Sequence, residues 1–213
     1  KRHAGKDRFL SAVLAERIIN GLRRRWGVVR QLHWPADGMW RRTPDGFWMF
    51  LRPGDFFDAC YAYSSPDESY RLFVPRMVRV GDVAIDAGGQ KGWYAMMLAR
   101  AVGPTGHVLT VEPDPAAADL LQGNLLRNRA ANVTLIREAA GDATQDVEFH
   151  LNAFVGWSSM TPSPLQQAGV MQRTTVRMRP LDDMLADAAP SAGSRETSAT
   201  SWILEGGLKL LEP

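Results

Sequence analysis

A single cysteine, Cys60, is present in the chain. An internal disulfide is therefore excluded, and a reducing compartment is expected. Set between Ala59 and Tyr61, this cysteine reads as a small buried apolar residue rather than a nucleophile. No apolar run approaches the roughly 18 residues of a membrane span. No signal peptide is visible either, so the expected location is cytoplasmic. The chain opens at Lys1 without a methionine, which leaves a preceding segment open. Internal repeats and the GxGxxG dinucleotide fingerprint are both lacking. No metal is expected.

What is present fits a globular protein. The 213 residues are 45% apolar and 23% charged, enough for one domain with an appendage. The net charge of +2 is unevenly spread: residues 1–30 carry nine Lys or Arg against two acids. Leu10, Val13, Leu14, Ile18 and Leu22 fall at helical spacing, so residues 8–25 predict a basic amphipathic helix. Such a helix could touch a membrane surface or an acidic partner. The preferred reading is plainer: it docks its apolar stripe on the domain and solvates its arginines. Arg23–Arg25 is too short a run to argue nucleic acid, and none is expected.

From 26 to 66 the chain is rich in turns and tryptophan, with Trp26, Trp34, Trp40 and Trp48. Short strands are expected there, for example Phe47–Leu51, with the aromatics sealing one side of a core. Ser65-Pro66-Asp67-Glu68 predicts a helix start, with the helix ending near Val74 before Pro75.

The most informative stretch is VAIDAGGQKG (83–92), followed by HVLTVEPDP (107–115). A strand over 83–86 delivers Asp86 to a loop with glycines at 88, 89 and 92. A helix over 92–101 follows, then a strand to Val111 that ends on Glu112. Glycines let the backbone approach a ligand, and an acid at the next strand end can take both ribose hydroxyls. Asp86 before the turn would repel a diphosphate but suits a cofactor with a positive amino-acid end. S-adenosylmethionine, with its ammonium and sulfonium, is such a cofactor. A helix over 115–129 and a strand over 133–137 continue the alternation, which means right-handed crossovers and a parallel sheet. Val147–Leu151 and Thr174–Met178 predict further short strands.

These residues resemble the FkbM-type S-adenosylmethionine-dependent methyltransferases of the class I, Rossmann-like group. The resemblance runs from about Ser65 to Asp183, through GDVAIDAGGQKGWYA (81–95), GHVLTVEPDP (106–115), LLQGNLLRNRAANVTLIREAAGD (120–142), GWSS (156–159) and VRMRPLDDML (176–185). It implies an α/β, doubly wound, mostly parallel sheet with helices on both faces. The methyltransferase-like domain would span 65–213, and residues 1–64 would form a helical, aromatic appendage.

The resemblance also implies site residues. Asp86, Gly88, Gly89 and Gly92 would surround the methionine end of S-adenosylmethionine, with Gly89 and Gln90 replacing the family's usual alanine and asparagine. Glu112 would bind the ribose. Asn124 would join the cofactor site or brace the loop. Glu138 and Ala139 would border the adenine. Trp157, Ser158 and Ser159 would lie at the mouth on the substrate side. The implied activity is O-methylation of a small molecule, sugar or glycan hydroxyl.

No catalytic base is identified. His150 is a candidate by residue type alone, and a solvated strand-end histidine is the preferred reading. After Leu185 the pattern breaks: APSAGSRETSATS (189–201) is polar, where the family has a strand ending in an acidic motif beside the cofactor. Ile203–Leu211 aligns better with a later helix, so Glu205 is not expected to be that acid. The C-terminal strands are expected to be incomplete. An inactive S-adenosylmethionine-binding or interaction module is the alternative.

Overall fold

The computed structural model describes residues 34–53, 55–63, 67–152, 158–162, 170–188 and 203–205. The basic helix expected over 8–25, Trp26 and Trp157 lie outside them. The chain first forms an antiparallel hairpin, β1 (Met39–Arg42) and β2 (Trp48–Leu51), with Met39 opposite Leu51. Helices α1 (Phe56–Tyr63) and α2 (Glu68–Met77) follow. Asp67 caps α2, its carboxylate accepting from the Tyr70 amide at 2.9 Å. The helix therefore starts at Glu68, and it runs three residues past the expected end at Val74. Pro75 is accommodated inside it, and the Val78 amide closes the end on the Val74 carbonyl at 2.9 Å.

The expected alternation then appears as β3 (Val83–Ala87), α3 (Trp93–Val102), β4 (His107–Val111), α4 (Pro115–Asn128) and β5 (Val133–Ile136). Proline at the first position of α4, behind Asp114 as cap, fixes where that helix begins. Next come β6 (Ala139–Ala140), β7 (Gln145–Asn152), β8 (Val170–Arg179), α5 (Leu181–Ala188) and β9 (Ile203–Glu205). The main sheet is parallel, in the order β5-β4-β3-β9, and a second sheet has the order β6-β8-β7 with β7 antiparallel to β8.

Strand β9 corrects the sequence reading. Ile203, Leu204 and Glu205 pair in parallel with Ile85, Asp86 and Ala87, so this segment is a strand and not the start of a helix. The C-terminal side of the sheet is less incomplete than expected. The physical reason is the free edge of β3, whose backbone groups need partners. Three residues meet that need, too few to show a period in sequence.

Alternation along the strands divides the core. Ala84 and Val108 join a large cluster with Met49, Leu51, Tyr61, Trp93, Leu98 and Leu121, which unites the hairpin, α1, α3 and α4. Ile85, Leu109 and Val111 face the other way, onto Met184 of α5. Helices thus cover both faces of the parallel sheet. No helix among the described residues is long and apolar enough to cross a membrane.

Candidate functional site

The carboxyl ends of β3 and β4 bring together the residues singled out in sequence. Parallel register sets Asp86 opposite Thr110 and Ala87 opposite Val111. The chain then turns sharply: the Gly88 and Gly89 amides donate to the Val111 carbonyl at 2.8 and 3.0 Å. Gly88 and Gly92 take left-handed backbone, with φ of 87° and 86°. The three glycines do different work. A Cβ on Gly88 would meet nothing within 4 Å, so this position borders open space. A Cβ on Gly89 would strike the Thr110 hydroxyl, and one on Gly92 would strike Leu121. Those two let the loop settle onto β4 and α4.

Glu112 is 5% exposed and clamps two loops at once. One carboxylate oxygen accepts from the Gln90 amide at 2.7 Å, the other from the Asp114 amide at 2.8 Å. Burial pushes its pKa up to about 7 against the pull of those two amides. Asp86 is equally hidden at 2% exposure, and the Thr110 hydroxyl donates to it at 3.1 Å. Burial raises its pKa to about 6. Gln90 between them holds a φ of 47°, uncommon for a residue with a side chain.

Asn124 is a brace. Its carbonyl oxygen accepts from the Phe50 amide and its amide donates to the Lys91 carbonyl, both at 2.8 Å. Fully buried and with both ends engaged on backbone, it braces the loop from behind. One turn on, Asn128 accepts from the Trp48 amide at 2.8 Å and donates to the Trp48 carbonyl. The two asparagines thereby satisfy the outer edge of β2 from a helix.

Glu138 sits just beyond β5, before the buried Ala139. One of its oxygens is buried with no hydrogen-bond partner, Arg179 Nε lying 3.6 Å away. Ser158 ties the next loop back to the site. Its hydroxyl donates to Asp114 at 2.6 Å and accepts from the Asn152 amide at 3.0 Å. Ser159 bridges to His150 through backbone, and its hydroxyl accepts from the Thr161 amide at 3.1 Å. His150 lies in β7, its Nε2 3.0 Å from Glu148, and no contact joins it to Asp86 or Glu112. At 12% exposure and paired with Glu148 within β7, it is not the solvated strand-end histidine expected from sequence.

Sequence reasoning passed over Lys91. Its side chain is 2% exposed and its ammonium bridges Asp55, at 2.9 Å, and Asp58. Burial pushes the Asp58 carboxyl up while the Lys91 ammonium pulls it down. A lysine in a glycine-rich loop carries no sequence sign of being buried. Asp114, which sequence places at the opening of α4 with Pro113 and Pro115, caps that helix, and its bond from Ser158 had no sign in sequence.

An S-adenosylmethionine fits these groups. Gly88 leaves room for close approach, Asp86 suits the ammonium, and each Glu112 oxygen keeps acceptor capacity for a ribose hydroxyl. A cleft of about 630 Å³ lies at the opposite end of the sheet, by Gly103, His107 and Asn132. It is remote from this chemistry.

Comparison with known proteins agrees with the geometry. The model of the methyltransferase FkbM domain matches residues 86–192. A protein-L-isoaspartate O-methyltransferase of Methanothrix thermoacetophila is 39% identical over 67 residues, which is 32% of this chain and 30% of that protein. The chain thus aligns with under a third of that relative. Among solved structures, a protein-L-isoaspartate O-methyltransferase overlaps with a TM-score of 0.30 at 24% identity, over 35% of this chain and 26% of the other. The TYW2 of P. horikoshii in complex with MeSAdo overlaps with a TM-score of 0.39 at 15% identity, over 51% and 38%. The family model covers half of the sequence: this chain belongs to the FkbM methyltransferase family, and S-adenosylmethionine is its cofactor.

Proposed function

We propose that this chain carries the donor site of an S-adenosylmethionine-dependent O-methyltransferase acting on a hydroxyl of a small molecule, sugar or glycan. The observation that carries the reading is the register of β9, which sets Glu205 level with Ala87 and one strand from the Asp86–Gly88 turn. When bound, the cofactor supplies an electrophilic methyl group. Transfer to a hydroxyl forms an O–C bond as the S–C bond breaks, and the acceptor's proton must go to a base. Glu205 is the acid that the sheet brings to this end of β9, and it is the proposed base. Asp86, Glu112 and Glu138 hold the donor. Ser158 fixes Asp114 and so the wall of the acceptor side.

The test is methyl transfer from labelled S-adenosylmethionine to a panel of sugars and small alcohols, using the wild type and Glu205→Gln. The expected result is turnover by the wild type, with cofactor binding kept and turnover lost in the variant. Undiminished turnover in Glu205→Gln removes it as base. Cofactor binding without turnover on any acceptor favours the inactive binding module.

A further inference from the structure

The cofactor loop is pinned on every side, and one of its pins comes from far outside the matched family segment. Gly88 and Gly89 hang on Val111, Gln90 on Glu112, and the Lys91 carbonyl on Asn124. The fifth pin is the Lys91 ammonium, bonded to Asp55 and Asp58 at the start of α1. Those carboxylates cannot swing away. The second oxygen of Asp55 accepts from the Phe57 and Asp58 amides at 2.8 and 3.3 Å. The second oxygen of Asp58 accepts from the Arg52 amide at 2.7 Å. Both acids are thus oriented by backbone and present one oxygen each to the lysine.

The charges matter as much as the geometry. A lysine in this loop is a cation beside a site for a cationic donor. S-adenosylmethionine carries a sulfonium charge, and its demethylated product does not. A bare ammonium would act against donor more than product. Two carboxylates fixed around it reverse the sign of the local charge.

We infer that Lys91 is a positioning residue for the cofactor loop, and that Asp55 and Asp58 mask its charge so that the site prefers the cationic donor over the neutral-sulfur product. The inference rests on the cofactor reading above and assigns the hairpin–α1 unit a part in it.

Calorimetric titration of the whole chain with S-adenosylmethionine and with S-adenosylhomocysteine tests it. Wild type should bind both. Asp58→Asn keeps the shape and the acceptor for the Arg52 amide, and should weaken the donor more than the product by a further factor of about five. Asp55→Asn retains an oxygen to cap α1 and should shift the ratio the same way, which serves if Asp58→Asn does not fold. Lys91→Met should weaken both ligands by about tenfold through loss of the pin. Equal weakening of both ligands in the two aspartate variants, or no change in either, overturns the masking role. An unchanged affinity in a folded Lys91→Met overturns the positioning role. Failure of the wild type to bind either ligand overturns the cofactor reading, and this inference with it.

Discussion

Donor affinity should rise with pH between about 5.5 and 8, because the site holds protons that the donor must displace. Asp86 and Glu112 are buried carboxyls whose pKa values stand at about 6 and about 7 in the folded chain. A cationic ligand binds the ionised forms. At about pH 6 only about a tenth of Glu112 and about half of Asp86 are ionised, so the affinity should be roughly twentyfold below its value at about pH 8. Binding near pH 6.5 must release protons. Titration in two buffers of different ionisation heat measures that release directly. Glu112→Gln cannot ionise and should leave a single step centred near Asp86's value. A donor affinity independent of pH over this range refutes the reasoning, as does net proton uptake on binding.

The same shifts act on the ligand-free fold, with the opposite sense to an ordinary paired carboxylate. A folded pKa above the unfolded one means the native state binds more protons between the two values. Stability should therefore fall as pH rises from about 4.5 to about 7 and level off above. For Glu112, moved from 4.5 to about 7, the cost at neutral pH is about 3 kcal/mol. Thermal melts without cofactor should show the maximum on the acid side, and added donor should move it toward neutral pH.

Other substitutions test the scaffold. Asn124→Ala should cost roughly 2–4 kcal/mol in chemical denaturation, since it orphans the Phe50 amide and the Lys91 carbonyl in the core. Gly89→Ala, driven into Thr110, should lower stability by about 1–3 kcal/mol. Gly88→Ala meets no atom, so it should cost only about 1–2 kcal/mol of left-handed strain while weakening donor binding disproportionately. Ser158→Ala, which removes the hydroxyl bond to Asp114, should leave donor binding nearly intact and raise the acceptor KM.

Much of this site was legible because it is local. An apolar strand, a glycine turn, an apolar helix and a second strand ending on Glu112 occupy thirty consecutive residues, and each boundary has a residue that causes it. The parts that were hidden depend on distant partners. Asn124 reaches a strand edge 74 residues away and Asn128 one 80 residues away, so neither shows its purpose in its own helix. Lys91 needs Asp55 and Asp58 before its burial makes sense. Strand β9 is three residues long behind a polar stretch, and only the open edge of β3 explains why Ile203–Glu205 extends. Pro75 marked a helix end by rule, yet the helix continues through it.

The buried charges also explain one another. Asp58, Asp86, Glu112 and Asp114 are all buried, and Lys91 is the one buried cation among the described residues. Four carboxylates against one ammonium cannot all stay ionised out of water without further compensation. Burial raises the carboxyls of Asp58, Asp86 and Glu112 alike, outweighing Lys91 at Asp58, the Thr110 hydroxyl at Asp86 and two backbone amides at Glu112. A site with this surplus is poised for a ligand that brings positive charge at the β3 turn and hydroxyl donors at the β4 end. A phosphate-rich dinucleotide would add charge of the wrong sign to it.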